Sequence, residues 1–166
     1  RKIVDLLAGP TFRPYSSDDI VGVELAGALK NIYALACGAV DGAELGLSAR
    51  SSIMARAFAE MGPLVKAMGG AKESLNSLAG LGDLTLSCTA RESRKFDFGY
   101  RLGAGESVAQ IVDSGAKLAE GVYSSPVGLA LADKYQVDAP IIKAVNALLA
   151  GQAPIEGLVA QLMARP

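Results

Sequence analysis

The 166-residue chain predicts an all-α domain with a short extended lead-in. Three observations carry that expectation. Half of the residues are apolar but only 5% are aromatic, and Ala, Leu and Gly dominate. Such a composition suits closely packed helices better than a sheet, which favours Val, Ile, Thr and aromatics. No stretch alternates apolar and polar residues long enough for a strand, and Gly and Pro divide the chain into apolar runs of helical length.

Each element follows from its own residues. Residues 2–8 read as a short helix, and 11–15 (TFRPY) as an extended link, because Pro10 and Pro14 oppose helix there. Ser16, Ser17, Asp18 and Asp19 offer N-caps for a long apolar helix over 20–39, closing near Gly42. Ser48 is the expected cap of a second helix over 49–68, stopped by Gly69 and Gly70, with Pro63 expected to kink or break its middle. The passage AGLGDLTLSCTARESRK (79–95) predicts a short helix over 83–89 and then a loop. Further helices are expected over 95–103, 106–113, 119–134, 140–149 and 154–163. Pro126 weakens the third of these, and VDAP (137–140) is a clear break before the next.

Composition narrows the chemistry. A formal net charge of −1 gives no electrostatic reason for a nucleic-acid partner. No stretch holds 18 uncharged apolar residues, so no membrane span is expected. The absence of histidine removes Ser/His/Asp and Cys/His catalysis and most zinc sites, and no metal site is expected. Cys37 and Cys88 read as reduced, buried thiols, which points to a cytoplasmic protein. The opening RKIVDLLAGP has neither an initiator Met nor the pattern of a signal peptide, which suggests a fragment or processed chain.

The stretch GALKNIYALACG (27–38) places Lys30 and Asn31 inside an otherwise small and apolar helix. Lys30 shares a helical face with Ala26, Gly27, Tyr33 and Ala34; Asn31 shares one with Glu24, Gly27, Ala28 and Leu35. The residues one turn back are small enough for a backbone or ligand to come close. Periodicity leaves two readings open: a lysine that snorkels to solvent, or one that faces a cleft and exchanges protons there.

The run from Asp19 through GVELAGALKNIYALACG, then LAGLGDLTLSCT, ESRKFDFG, LAEGVYSSPVGLALADKY and VDAPII, resembles the C-terminal domain of NAD(P)-dependent glycerol-3-phosphate dehydrogenases. The resemblance implies a multi-helix fold of the 6-phosphogluconate-dehydrogenase-like type over 17–166, with 1–16 as the end of a preceding dinucleotide-binding domain. It implies interconversion of dihydroxyacetone phosphate and sn-glycerol 3-phosphate with NAD or NADP, in a homodimer, at a site shared with an N-terminal Rossmann domain. Lys30 matches the proton-transferring lysine and Asn31 its polar neighbour. Asp83, in GLGDL, matches a substrate contact, although a helix N-cap is an alternative for it. Ser93 and Arg94 match residues that meet substrate and, for Arg94, cofactor. Lys95 stands where the family has Asn, which puts a second cation in place of an amide. Leu118 and Glu120 match cofactor-side positions.

No G-x-G-x-x-G follows a strand, so the chain by itself is expected neither to bind nicotinamide cofactor tightly nor to catalyse hydride transfer. Two other readings compete. One is a helical domain of a β-hydroxyacid dehydrogenase or ketopantoate reductase, whose lysine and asparagine are usually several residues apart rather than adjacent. The other is a non-catalytic helical assembly module with Lys30 on its surface.

Overall fold

A long buried helix organises the structure, a computed structural model that describes residues 2–116 and 119–164. The helices are α1 (Lys2–Leu7), α2 (Ile20–Gly42), α3 (Gly46–Ala67), α4 (Asp83–Thr89), α5 (Arg94–Gly103), α6 (Val108–Asp113), α7 (Glu120–Lys134), α8 (Pro140–Leu149) and α9 (Ile155–Met163). No strand forms among the described residues; the lead-in makes a single bridge between Gly9 and Phe12. The all-α expectation therefore holds, as does the extended link after α1.

α2 starts where the polar cluster allows it to. The Asp19 side chain accepts the Gly22 amide at 2.9 Å and the Ala71 amide at 2.9 Å, capping α2 and tying it to the loop after α3. From Ile32 to Val40 every residue is buried, so the helix is apolar all round rather than along one stripe. By length and mean hydropathy its 23 residues are enough to cross a bilayer, although Glu24 and Lys30 interrupt the apolar run, so it does not hold 18 uncharged apolar residues. α3, α4, α5 and α7 pack around it.

α2 ends in a Schellman turn. The Leu45 amide reaches the Val40 carbonyl at 3.2 Å and the Glu44 amide reaches Asp41 at 3.1 Å, with Glu44 in the left-handed region at φ 56°. That turn delivers the chain directly into α3 at Gly46, so Ser48 lies inside the helix and is not its cap. α3 also runs through Pro63 without breaking. Pro63 and Ala59 are both exposed, so water can take the carbonyl that loses its amide partner. α7 runs through exposed Pro126 in the same way. Between α3 and α4 the chain makes a 3-10 turn over Lys72–Asn76 and a π-helical turn over Leu78–Gly82, neither of which periodicity predicts.

Four glycines set the closest contact. A Cβ on Gly38 would lie 2.0 Å from the Phe96 carbonyl oxygen, and one on Gly42 would lie 1.9 Å from that of Tyr100. Reciprocally, a Cβ on Gly99 would lie 2.1 Å from Leu35 O, and one on Gly103 would lie 2.0 Å from Ala39 O. α2 and α5 thus present facing G-x-x-x-G faces and touch backbone to backbone. Cys37 of α2 and Cys88 of α4 are free and buried. A hydrogen bond that the Cys88 thiol donates to Cys37, followed by burial, pushes Cys88 well above its usual range and keeps it inert.

Candidate active site

Two elements deliver the central pair. Lys30 projects from α2 and donates to Asp83 Oδ2 at the start of α4, forming an ion pair. Both side chains are partly shielded, with 21% of Lys30 and 33% of Asp83 exposed. The π turn aims the carboxylate: a Cβ on Gly80 would sit 2.1 Å from Leu75 O, so only glycine lets this turn fold flat before Asp83. The N-cap reading of Asp83 is overturned. Gly82 occupies the cap position in helical conformation, no side chain caps α4, and the carboxylate is turned to Lys30 instead.

Asn31 lies beside the pair. Its Nδ2 donates to the Gly27 carbonyl at 3.2 Å, while its Oδ1 is buried with no hydrogen-bond partner among the described residues. A buried unpaired acceptor costs about 1–3 kcal/mol, so this oxygen is suited to receive a donor from a bound molecule.

A second cluster forms where α5 and α7 begin. Arg94 bonds Glu120 Oε1 at 3.0 Å and Lys95 bonds Glu120 Oε2 at 3.2 Å. The Glu120 carboxyl is held below its usual range by its own backbone amide, then by Lys95 and Arg94. Ser93 is at the N-cap position of α5 but makes no capping bond. The two clusters adjoin through α2: a Cβ on Gly121, next to Glu120, would lie 2.5 Å from the Asn31 carbonyl oxygen. Lys30 and Asp83 therefore meet, and Ser93, Arg94, Lys95 and Glu120 gather one turn of packing away. Arg94 is engaged by Glu120 rather than by the Lys30 pair. Leu118 lies outside the described residues. Lys95, in place of the family's Asn, gives Glu120 a second counterion, a pairing that its substitution for an amide does not suggest.

An open cavity of about 1100 Å³ is lined by Glu24, Leu78, Gly82 and Thr85 among others, but not by Lys30, Asn31 or Asp83. A smaller one of about 520 Å³ lies between α5–α6 and α8–α9 and includes none of the residues named here for the site.

Residues 19–160 match the family model described as the C-terminus of NAD-dependent glycerol-3-phosphate dehydrogenase. The chain belongs to that family. A glycerol-3-phosphate dehydrogenase [NAD(P)+] of Erythrobacter litoralis is 47% identical over 99% of this chain, and one of Caulobacter vibrioides is 43% identical over all of it. In both cases the match covers 50% of the relative, so the chain spans about half the length of these glycerol-3-phosphate dehydrogenases. The solved glycerol-3-phosphate dehydrogenase of Coxiella burnetii superposes with a TM-score of 0.93 at 39% identity, over 99% of this chain and 50% of that one. The enzyme from Saccharomyces cerevisiae, at 22% identity and a TM-score of 0.83 over 94% of this chain and 46% of its own, shares the fold.

Proposed function

We propose that this chain is the substrate-handling half of an enzyme that interconverts dihydroxyacetone phosphate and sn-glycerol 3-phosphate. The observation that carries the proposal is the partly shielded Lys30–Asp83 ion pair between α2 and α4, with an unsatisfied Asn31 oxygen next to it in the chain. Lys30 Nζ supplies a proton to the ketone oxygen as the carbonyl carbon gains a hydride, and recovers one from solvent afterwards. Asp83 orients the ammonium, whose charge stabilises the alkoxide as it develops. Asn31 Oδ1 accepts a hydroxyl hydrogen bond from the substrate.

Arg94 is 61% exposed and its pairing with Glu120 is a surface ion pair, worth about 0–1 kcal/mol. A phosphate dianion can displace that carboxylate, and the guanidinium fork matches phosphate oxygens. Arg94 and Glu120 offer the kind of polar groups a nicotinamide dinucleotide needs on this side. Bound NAD(P)H supplies the hydride, and the remaining half of the protein holds most of it. A homodimer in the cytoplasm completes the proposal, and the two free buried thiols fit that reducing compartment.

The test is Lys30→Ala in the full-length protein. A loss of about 10²–10⁴ in kcat, with the fold retained by circular dichroism, is the expected result. A change below threefold would leave the helical domain as an assembly module.

A further inference from the structure

Away from the site, one carboxylate is buried among three helices. Glu60 of α3 is 7% exposed. Its Oε2 accepts the Ile141 amide at 2.8 Å and its Oε1 the Ile142 amide at 3.1 Å, 81 and 82 residues along the chain. The Tyr33 hydroxyl of α2, itself fully buried, lies 3.4 Å from Oε1. α8 needs this help. Ala139 caps it without a side-chain bond and Pro140 has no N–H, so the amides of Ile141 and Ile142 have no acceptor in their own helix.

We propose that Glu60 is a proton-operated clasp that joins α2, α3 and α8, closed when its carboxyl is protonated and loosened when the proton leaves. With the proton on, a neutral carboxyl sits in the core. The protonated Oε1 donates to the Tyr33 hydroxyl oxygen and keeps a weaker bond from the Ile142 amide, while Oε2 still accepts the Ile141 amide. With the proton gone, a full charge remains where water is scarce, and the two amides and Tyr33 offset only part of that cost. An open cavity of about 360 Å³, lined by Arg56, Glu60, Asp138 and Ile141, gives water a way in as the first turn of α8 yields.

The groups facing Glu60 set where it titrates. Tyr33 faces it from α2, and burial followed by Glu60 itself pushes that phenol far above its usual range. Asp138 faces it from the loop before α8 and is paired with Lys143 at 3.4 Å. Arg56 lies one turn earlier on α3, and Cys88 of α4 acts on Tyr33. Burial raises the Glu60 carboxyl most, the Ile141 and Ile142 amides and Tyr33 oppose it, and Asp138 adds to the rise, which brings it to about 7. A carboxyl raised on folding contributes stability that is complete below its unfolded value of 4.5 and is lost as pH rises through about 7.

Two measurements on the full-length protein test this. Thermal unfolding from pH 5 to 8 should show the wild-type midpoint falling relative to Glu60→Gln, which is neutral throughout; an unchanged slope in that variant overturns the clasp. If Glu60→Gln does not fold, hydrogen exchange on the wild type decides. Corrected for intrinsic rates, protection of amides 141–143 should fall about tenfold between pH 6 and 8, as a carboxyl moving from 4.5 to about 7 requires. Constant protection over that range overturns the proposal.

Discussion

At the scale of single residues, the site depends on which atoms have partners. Lys30 is held by Asp83, and Asn31 holds one bond and lacks another. Asp83→Asn keeps the shape and removes the charge that steadies the ammonium. In the full-length enzyme we expect kcat to fall about tenfold or more, equivalent to about 1.4 kcal/mol of transition-state stabilisation, with KM changing less. Steady-state kinetics at saturating ketone would show it, and an unaltered kcat would mean that Asp83 does not steer Lys30. The pairing itself was not legible from spacing. Lys30 and Asp83 are 53 residues apart, and nothing local in either motif says that they meet. Their association was expected only through the family resemblance. Periodicity alone left Lys30 open between solvent and cleft.

At the scale of elements, the α2–α5 contact decides where glycine is required. Gly99→Ala drives a methyl into the Leu35 carbonyl, whereas Gly27, on the same long helix as Leu35, has no atom within 4 Å of its added Cβ. Gly99→Ala should lower unfolding stability by about 1–3 kcal/mol. Gly27→Ala should raise it by about 0.5–1 kcal/mol, since alanine is the better helix former. Denaturant titration of both separates sterics from propensity. Helix boundaries set by local chemistry were readable: α4 over Asp83–Thr89 and α8 over Pro140–Leu149 match the breakers that flank them. The start of α3 was not, because a Schellman turn with a left-handed Glu44, not a Ser cap, sets it. Pro63 and Pro126 did not break their helices because each faces solvent, and exposure cannot be read from a proline alone. The Glu60 cap was invisible for a different reason: its acceptor and its donors are on separate helices.

At the scale of the whole molecule, the described helices enclose a core of their own. α2 packs against α3, α4, α5, α7 and α8, so burial does not wait on another domain. The chain alone should therefore give a helical far-UV circular dichroism spectrum with a cooperative melt. Mixed with NADH and dihydroxyacetone phosphate it should give no turnover, followed by NADH absorbance. Activity in that mixture would show that the catalytic groups are all present here. The fold class followed from composition and breakers, because helices close their hydrogen bonds locally. The site was only partly legible, since it is assembled by packing between segments that the sequence separates.

The main-chain contact between α2 and α5 has one more effect. Lys30 rides on the first of these helices and Arg94 opens the second, and no layer of deformable side chains lies between them along the seam. The gap from Lys30 to Arg94 is thus gauged by the peptide units themselves. Heating or repacking elsewhere in the interior should leave that gauge unaltered until the seam parts, so loss of turnover and loss of structure should arrive at the same temperature.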